Sequence, residues 1–152
     1  MTDNEAKIRM LLDELADGYR RKDAAQIVST YALEIRKFDL QPPLQIRRGE
    51  TSDIGGGHLA DVTSAEGLAA WFAGFGDLPF EYETRDLDIT VGGDVAYACC
   101  LSRMGTPGGF GMWFRLTVGL RKTGADWQIT HTHASTPIHM DQSGQAAMNL
   151  EP

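Results

Sequence analysis

From Ile8 onward the apolar positions recur at helical intervals. Ile8, Leu11, Leu12, Leu15, Ala16 and Tyr19 keep the i, i+3, i+4, i+7 spacing that lays one hydrophobic stripe along a helix. Thr2 with Glu5 three residues later reads as the capping box of that helix. Asp23 and Gln26 repeat the signal before a shorter helix carrying Ile27, Val28 and Tyr31. The stretch "EIRKFDL" (34–40) then reads as extended chain, stopped by Pro42 and Pro43, which do not suit a sheet interior. Residues 49–62 are rich in glycine and polar side chains and read as a loop. Thr63 and Glu66 mark the start of a third helix, whose apolar face is Leu68, Trp71, Phe72 and Phe75.

Beyond Phe80 the period changes to two. Leu87, Ile89 and Val91 alternate with polar residues, and "VGGDV" supplies a hairpin turn. "VAYACCLSRM", "MWFRLTVGLRK" and "WQITHTHAS" are three further strands, separated by the loop "GTPGGFG" and the turn "TGAD". Helices first and an antiparallel meander afterwards predict an α+β fold, one curved sheet with helices packed on one side. The pattern places a single domain over 1–140 and a small, polar, loosely held tail over 141–152.

Two strands raise the question of what their faces do. On one, Met112, Phe114, Leu116, Val118 and Leu120 oppose Trp113, Arg115, Thr117, Gly119 and Arg121. A single-layer sheet buries the first set and wets the second. If Trp113 and Arg115 instead wall a pocket, the first set must be covered by a second copy of the chain. On the last strand, strict alternation puts Trp127, Ile129, His131, His133 and Ser135 together. An H-x-H pair on a strand suits a metal, but "HTHASTPIHM" brings no acid before Asp141. We therefore assign no metal. The two imidazoles remain either satisfied polar groups or pocket-wall residues.

Composition narrows the partners. A net charge of −7, with basic residues scattered, argues against nucleic acid and anionic membrane surfaces. No apolar run approaches the length a membrane helix needs, and the opening "MTDNEAKIRM" does not read as a signal peptide. Cys99 and Cys100 are adjacent, so they read as buried reduced thiols in a cytoplasmic protein. "GGGH" (55–58) lacks the Lys-Ser/Thr of a phosphate loop and reads equally as a mobile flap over the pocket or as a disordered segment without function.

The segments "YALEIRKFDLQPPL", "AAWFAGFGDLPFEY" and "WFRLTVGLRKTGADWQITHTHASTP" resemble the SnoaL-like, ketosteroid isomerase homologue branch of the nuclear transport factor 2-like superfamily. The most specific run is Arg115, Thr117, Trp127, Ile129, His131, His133, Ser135 and Pro137. The resemblance implies a cone: a strongly bent antiparallel sheet wrapped around three helices, with a pocket at its open end. It also implies a homodimer formed through the outer sheet face. Such scaffolds host isomerases, cyclases, epoxide hydrolases, dehydratases and non-catalytic adaptors, so the chemistry must come from the site.

By that resemblance Asp39 falls near the isomerases' general base, Tyr19 lies about a turn from their helix phenol, and Arg115 stands where they keep a protonated acid. An arginine is permanently charged and prefers carboxylates or developing anions. Asp39, between Phe38 and Leu40, would gain basicity if buried. The expected site thus has Asp39 as base, His133 as proton donor or orienter and Arg115 as anion stabiliser. Tyr19, Tyr31, Trp71, Trp113 and His131 are expected to line it. The expected ligand is a small organic molecule with a carbonyl or carboxylate, handled without a cofactor. The alternative is a non-catalytic ligand-binding or oligomerising module.

Overall fold

The computed structural model describes residues 2–152. Thr2 caps α1 (Asp3–Arg21), its hydroxyl accepting from the Glu5 amide at 3.1 Å. Asp23 caps α2 (Ala24–Ser29) in the same way through Gln26. This second helix ends before Tyr31, which opens β1 (Tyr31–Phe38) instead. The cause is local: the Thr30 hydroxyl donates back to the Ile27 carbonyl at 2.7 Å and closes the last turn. β2 (Ile46–Arg47) pairs antiparallel with β1.

The segment read as a loop contains a small hairpin, β3 (Ser52–Gly55) and β4 (His58–Ala60). Asp53 builds its turn by accepting from the Gly55 and Gly57 amides at 2.8 and 3.1 Å. Strands this short carry too few alternating positions to announce themselves. Ser64, one residue later than expected, caps α3 (Ala65–Ala73) by accepting from the Gly67 amide. Thr63 is occupied with the Asp61 carboxylate.

The meander follows as read: β5 (Glu81–Gly92), β6 (Val95–Gly105), β7 (Gly111–Thr123) and β8 (Asp126–Ser135). The six-stranded sheet has the order β2-β1-β8-β7-β6-β5. One pairing departs from the expectation of a wholly antiparallel sheet: β1 runs parallel to β8, so the sheet is mixed. A long crossover through the hairpin and α3 separates β1 from the meander and makes a parallel neighbour possible.

On β7 the single-layer reading holds. Met112, Phe114, Leu116, Val118 and Leu120 are buried against Ile8 and Leu15 of α1 and Leu68 and Phe72 of α3. Each such aliphatic burial is worth roughly 1.5–3 kcal/mol. Trp113 and Arg115 point the other way, out of the sheet.

On β8 strict alternation fails. Gly119 pairs with His131 and Leu120 with Ile129, so Thr130 is an extra residue without a cross-strand partner. This β-bulge inverts the faces of everything after it. Trp127 and Ile129 point into the core, but so do Thr132 and Ala134; His131, His133 and Ser135 point outward. Gly119 leaves room for the bulge, since a side chain there would meet the His131 Cβ at 3.2 Å.

Cys99 and Cys100 are both free, and Cys99 is exposed on the outer face. The expectation of two buried thiols fails because neighbours on a strand face opposite ways. Beyond β8 the chain folds back on itself: Ile138 and Ala146 form a bridge, and Ala147 is buried with its amide on the Pro137 carbonyl. No helix among the described residues is long and apolar enough to cross a membrane.

Candidate functional site

The concave side of the sheet is not filled completely. A cavity of about 70 Å3 lies between α1, α3 and the sheet, with Leu15, Leu68, Trp71, Met104 and Phe114 among its apolar walls. That is room for roughly five water-sized atoms, enough for a ligand's head group but not its body. Asp39, Leu40, Gln41 and Ala134 line it and also line an open groove of about 780 Å3 outside. The groove continues along Pro42, Pro43, His133 and Ile138. Asp39 therefore stands at the boundary between an enclosed head-group space and a roomy vestibule.

The polar floor of the cavity comes from one strand. On β1, Tyr31, Lys37 and the following Asp39 turn toward the cavity, while Arg36 and Phe38 face out. Lys37 Nζ donates to the Tyr31 hydroxyl oxygen at 3.1 Å and lies 3.4 Å from Asp39 Oδ2. It also rests 5.0 Å from the centre of the Tyr31 ring. The side chains of Lys37 and Asp39 are only 6% and 19% exposed. An isolated buried ammonium would be prohibitively costly; paired and hydrogen-bonded, it is held. Because Tyr31 accepts from Lys37, its own proton is left free to donate.

Burial alone would push the Lys37 ammonium toward neutrality. The Asp39 carboxylate, with the phenols of Tyr31 and Tyr19 nearby, more than reverses this and holds it well above the usual lysine value. Two more phenols complete the wall. Tyr19 and Tyr82 stack with ring centres 4.7 Å apart and planes within 9°. Burial drives both well above the ordinary tyrosine value, opposed at Tyr82 by a hydrogen bond with Ser102. Trp71 meets Tyr19 edge-on at 6.4 Å.

The structure thus brings together Asp39, Tyr19, Tyr31 and Trp71 from the expected set, and it adds Lys37 and Tyr82. Lys37 was legible in principle: Ile35, Lys37 and Asp39 follow a period of two along "EIRKFDL", and a lysine in phase with a buried isoleucine is an unusual placement.

The remaining expected residues lie elsewhere. Arg115 is exposed on the convex face, its Nε donating to the Ser135 hydroxyl at 3.2 Å. Trp113 carries the Arg85 guanidinium over its ring at 5.0 Å. His131 uses Nδ1 to donate to the Arg36 carbonyl at 2.7 Å. Both imidazoles pack edge-on to Phe38, at 4.8 and 5.4 Å. His133 alone keeps a connection to Asp39, since both border the outer groove. The physical reason is the Thr130 bulge for the histidines and the one-layer sheet for Trp113 and Arg115. Among the described residues, no group of three or more His, Cys, Asp or Glu is placed to hold a metal ion.

Comparison with known proteins agrees with this architecture. The SnoaL-like domain family matches residues 8–139. An NTF2-like protein of unknown function from Pseudomonas putida superposes with a TM-score of 0.78 at 28% identity, over 100% of this chain and 99% of that one. A candidate dehydratase of the NTF2-like family from Streptomyces avermitilis gives 0.62 at 14% identity, covering 88% and 96%. A candidate ketosteroid isomerase from Shewanella frigidimarina gives 0.57 at 16% identity, covering 82% and 91%. The last two are too distant in sequence to speak for more than the fold. No curated protein matches this chain.

Proposed function

The chain belongs to the SnoaL-like domain family, and from that premise we propose that it binds a small carbonyl compound and removes a proton next to the carbonyl. The observation that carries this reading is the position of Asp39, a largely buried carboxylate at the mouth of an apolar, aromatic cavity. A carboxylate with little water around it is a competent base toward a carbon acid. In the step, the Cα–H proton passes to Asp39 and its electron pair forms the new C=C bond. The carbonyl oxygen takes up the displaced π pair. Return of the same proton at a conjugated carbon gives isomerisation; departure of a β-substituent gives elimination. No electron leaves the substrate, so no redox cofactor is required.

Two features frame the reading. The free thiols fit a reducing compartment, so we place the protein in the cytoplasm. The outer sheet face carries Phe38, Tyr97, Leu101 and Trp113 among its charges, and we propose that it covers itself by pairing with a second copy. One observation favours a non-catalytic module instead: Lys37, Tyr31 and Asp39 satisfy one another without any ligand.

Deuterium exchange separates the two. A panel of small ketones and enones incubated with the protein in D2O should lose α-proton signal faster than in buffer. Asp39→Asn should abolish that gain. Because this change leaves Lys37 buried without its counter-charge, K37M/D39N serves as a second, charge-neutral variant that should be equally inert. Ligand binding with no enzyme-dependent exchange would favour the non-catalytic module; exchange that survives in both variants would remove Asp39 from the chemistry.

A further inference from the structure

The ionisable floor of the cavity has a simple charge balance. Lys37 brings +1, Asp39 brings −1, and the other titratable groups facing it, Tyr19, Tyr31 and Tyr82, are neutral phenols. The remaining walls are uncharged: apolar and aromatic side chains, the Gln41 amide and the Thr132 hydroxyl. Resting on the carbonyl reading above, we propose that this cavity is a subsite for an uncharged carbonyl group, with Lys37 and Tyr31 as the donors that receive its oxygen. Carboxylates are excluded from it.

The argument is one of geometry and desolvation. Lys37 has three N–H donors. One is spent on Tyr31 at 3.1 Å and one faces Asp39 at 3.4 Å, which leaves one for the cavity. The Tyr31 phenol, its oxygen already accepting from Lys37, must direct its own proton elsewhere. Two convergent donors beside a carboxylate make an arrangement that polarises a carbonyl and stabilises the enolate formed from it. The place expected for Arg115 is taken by Lys37, which approaches the cavity from the same strand as the base. A carboxylate ligand would bring a second negative charge next to Asp39 with one ammonium to serve both, a poorly compensated burial. An imine-forming role for Lys37 is disfavoured by the same contacts: an ammonium held between a carboxylate and a phenol has no lone pair with which to attack a carbonyl.

The test uses the full chain and a matched pair of probes, 2-cyclopentenone and cyclopent-1-enecarboxylate, titrated by ligand-observed NMR. Wild type should bind the enone and reject the carboxylate by about tenfold or more, the size of a single uncompensated charge at a partly buried site. The carbonyl 13C resonance of the enone should move downfield on binding. Tyr31→Phe, which keeps the Lys37–Asp39 pair, should reduce that movement. Asp39→Asn leaves the cavity with a net +1 and should reverse the preference toward the carboxylate. If that variant folds poorly, K37M/D39N, neutral but without the ammonium, should bind the enone with the downfield shift largely lost. A wild type that prefers the carboxylate, a downfield shift unaltered in both Y31F and K37M/D39N, or no binding of either probe would overturn the subsite. None of these readouts depends on turnover. Loss of proton exchange alone therefore strikes the base assignment and leaves the subsite standing, and the converse also holds.

Discussion

A lysine ammonium this deeply placed keeps its charge because Asp39 and Tyr31 hold it, and the phenols of Tyr19 and Tyr82 are buried beside it. This arrangement makes the protein sensitive to alkali. Lys37, Tyr19 and Tyr82 all have folded-state values above their ordinary ones of 10.5 and 10.0. Each therefore contributes stability that is complete below its unfolded value and is lost as pH climbs toward the folded one. The melting temperature should stay level from about pH 8 to about pH 10 and then fall steeply. Tyr82→Phe, which removes one of the three groups, should flatten the fall; an identical slope in the variant would exclude Tyr82 from the linkage. At this scale the sequence disclosed four of the six polar and aromatic side chains named at the candidate site. Asp39, Tyr19, Tyr31 and Trp71 stand out as residue types. Lys37 hides because a lysine is ordinarily a surface residue, and only its phase with Ile35 marks it as buried.

The elements themselves were mostly legible, because caps and periodicity are local signals. Thr2 and Asp23 cap the helices they were expected to cap, and β5 to β8 fall where alternation places them. What local signals do not carry is an inserted residue. The Thr130 bulge leaves the composition of β8 untouched and still exchanges its two faces, so the histidines that dominate the sequence pattern leave the cavity. Thr132 and Ala134 replace them. Deleting Thr130 removes only the unpaired residue: alternation becomes regular with Ile129, Thr132 and Ala134 still inward and His131 and His133 still outward. We expect the deletion to keep the fold and the cavity walls, at a cost well below the roughly 3 kcal/mol of changes that bury unpaired polar groups. Urea denaturation measures it directly. A loss of roughly 3 kcal/mol or more would mean instead that β8 shifts its register when the extra residue is removed.

At the scale of the whole molecule, the sheet has one face filled by helices and one face open. The open face carries Phe38, Tyr97, Leu101 and Trp113 among Arg36, Arg85, Arg103 and Arg115, a mixture of apolar anchors and charge common in protein interfaces. Sedimentation of the wild-type chain should give twice its monomer mass at micromolar concentration. The pair Leu101→Glu and Trp113→Glu, remote from the cavity, should yield monomers with ketone exchange retained. A monomeric wild type would refute pairing through this face.

The pairing of β1 with β8 has a consequence for the order of events during synthesis. The residues of the charged floor, at or before position 39, leave the ribosome well ahead of the strand that seats them against the sheet, 126–135. Until that last strand emerges, Lys37 and Asp39 have no wall to be buried behind and remain hydrated. The cavity is therefore closed only once β8 has been added, and a ribosome-stalled product lacking that strand should fail to retain any ligand.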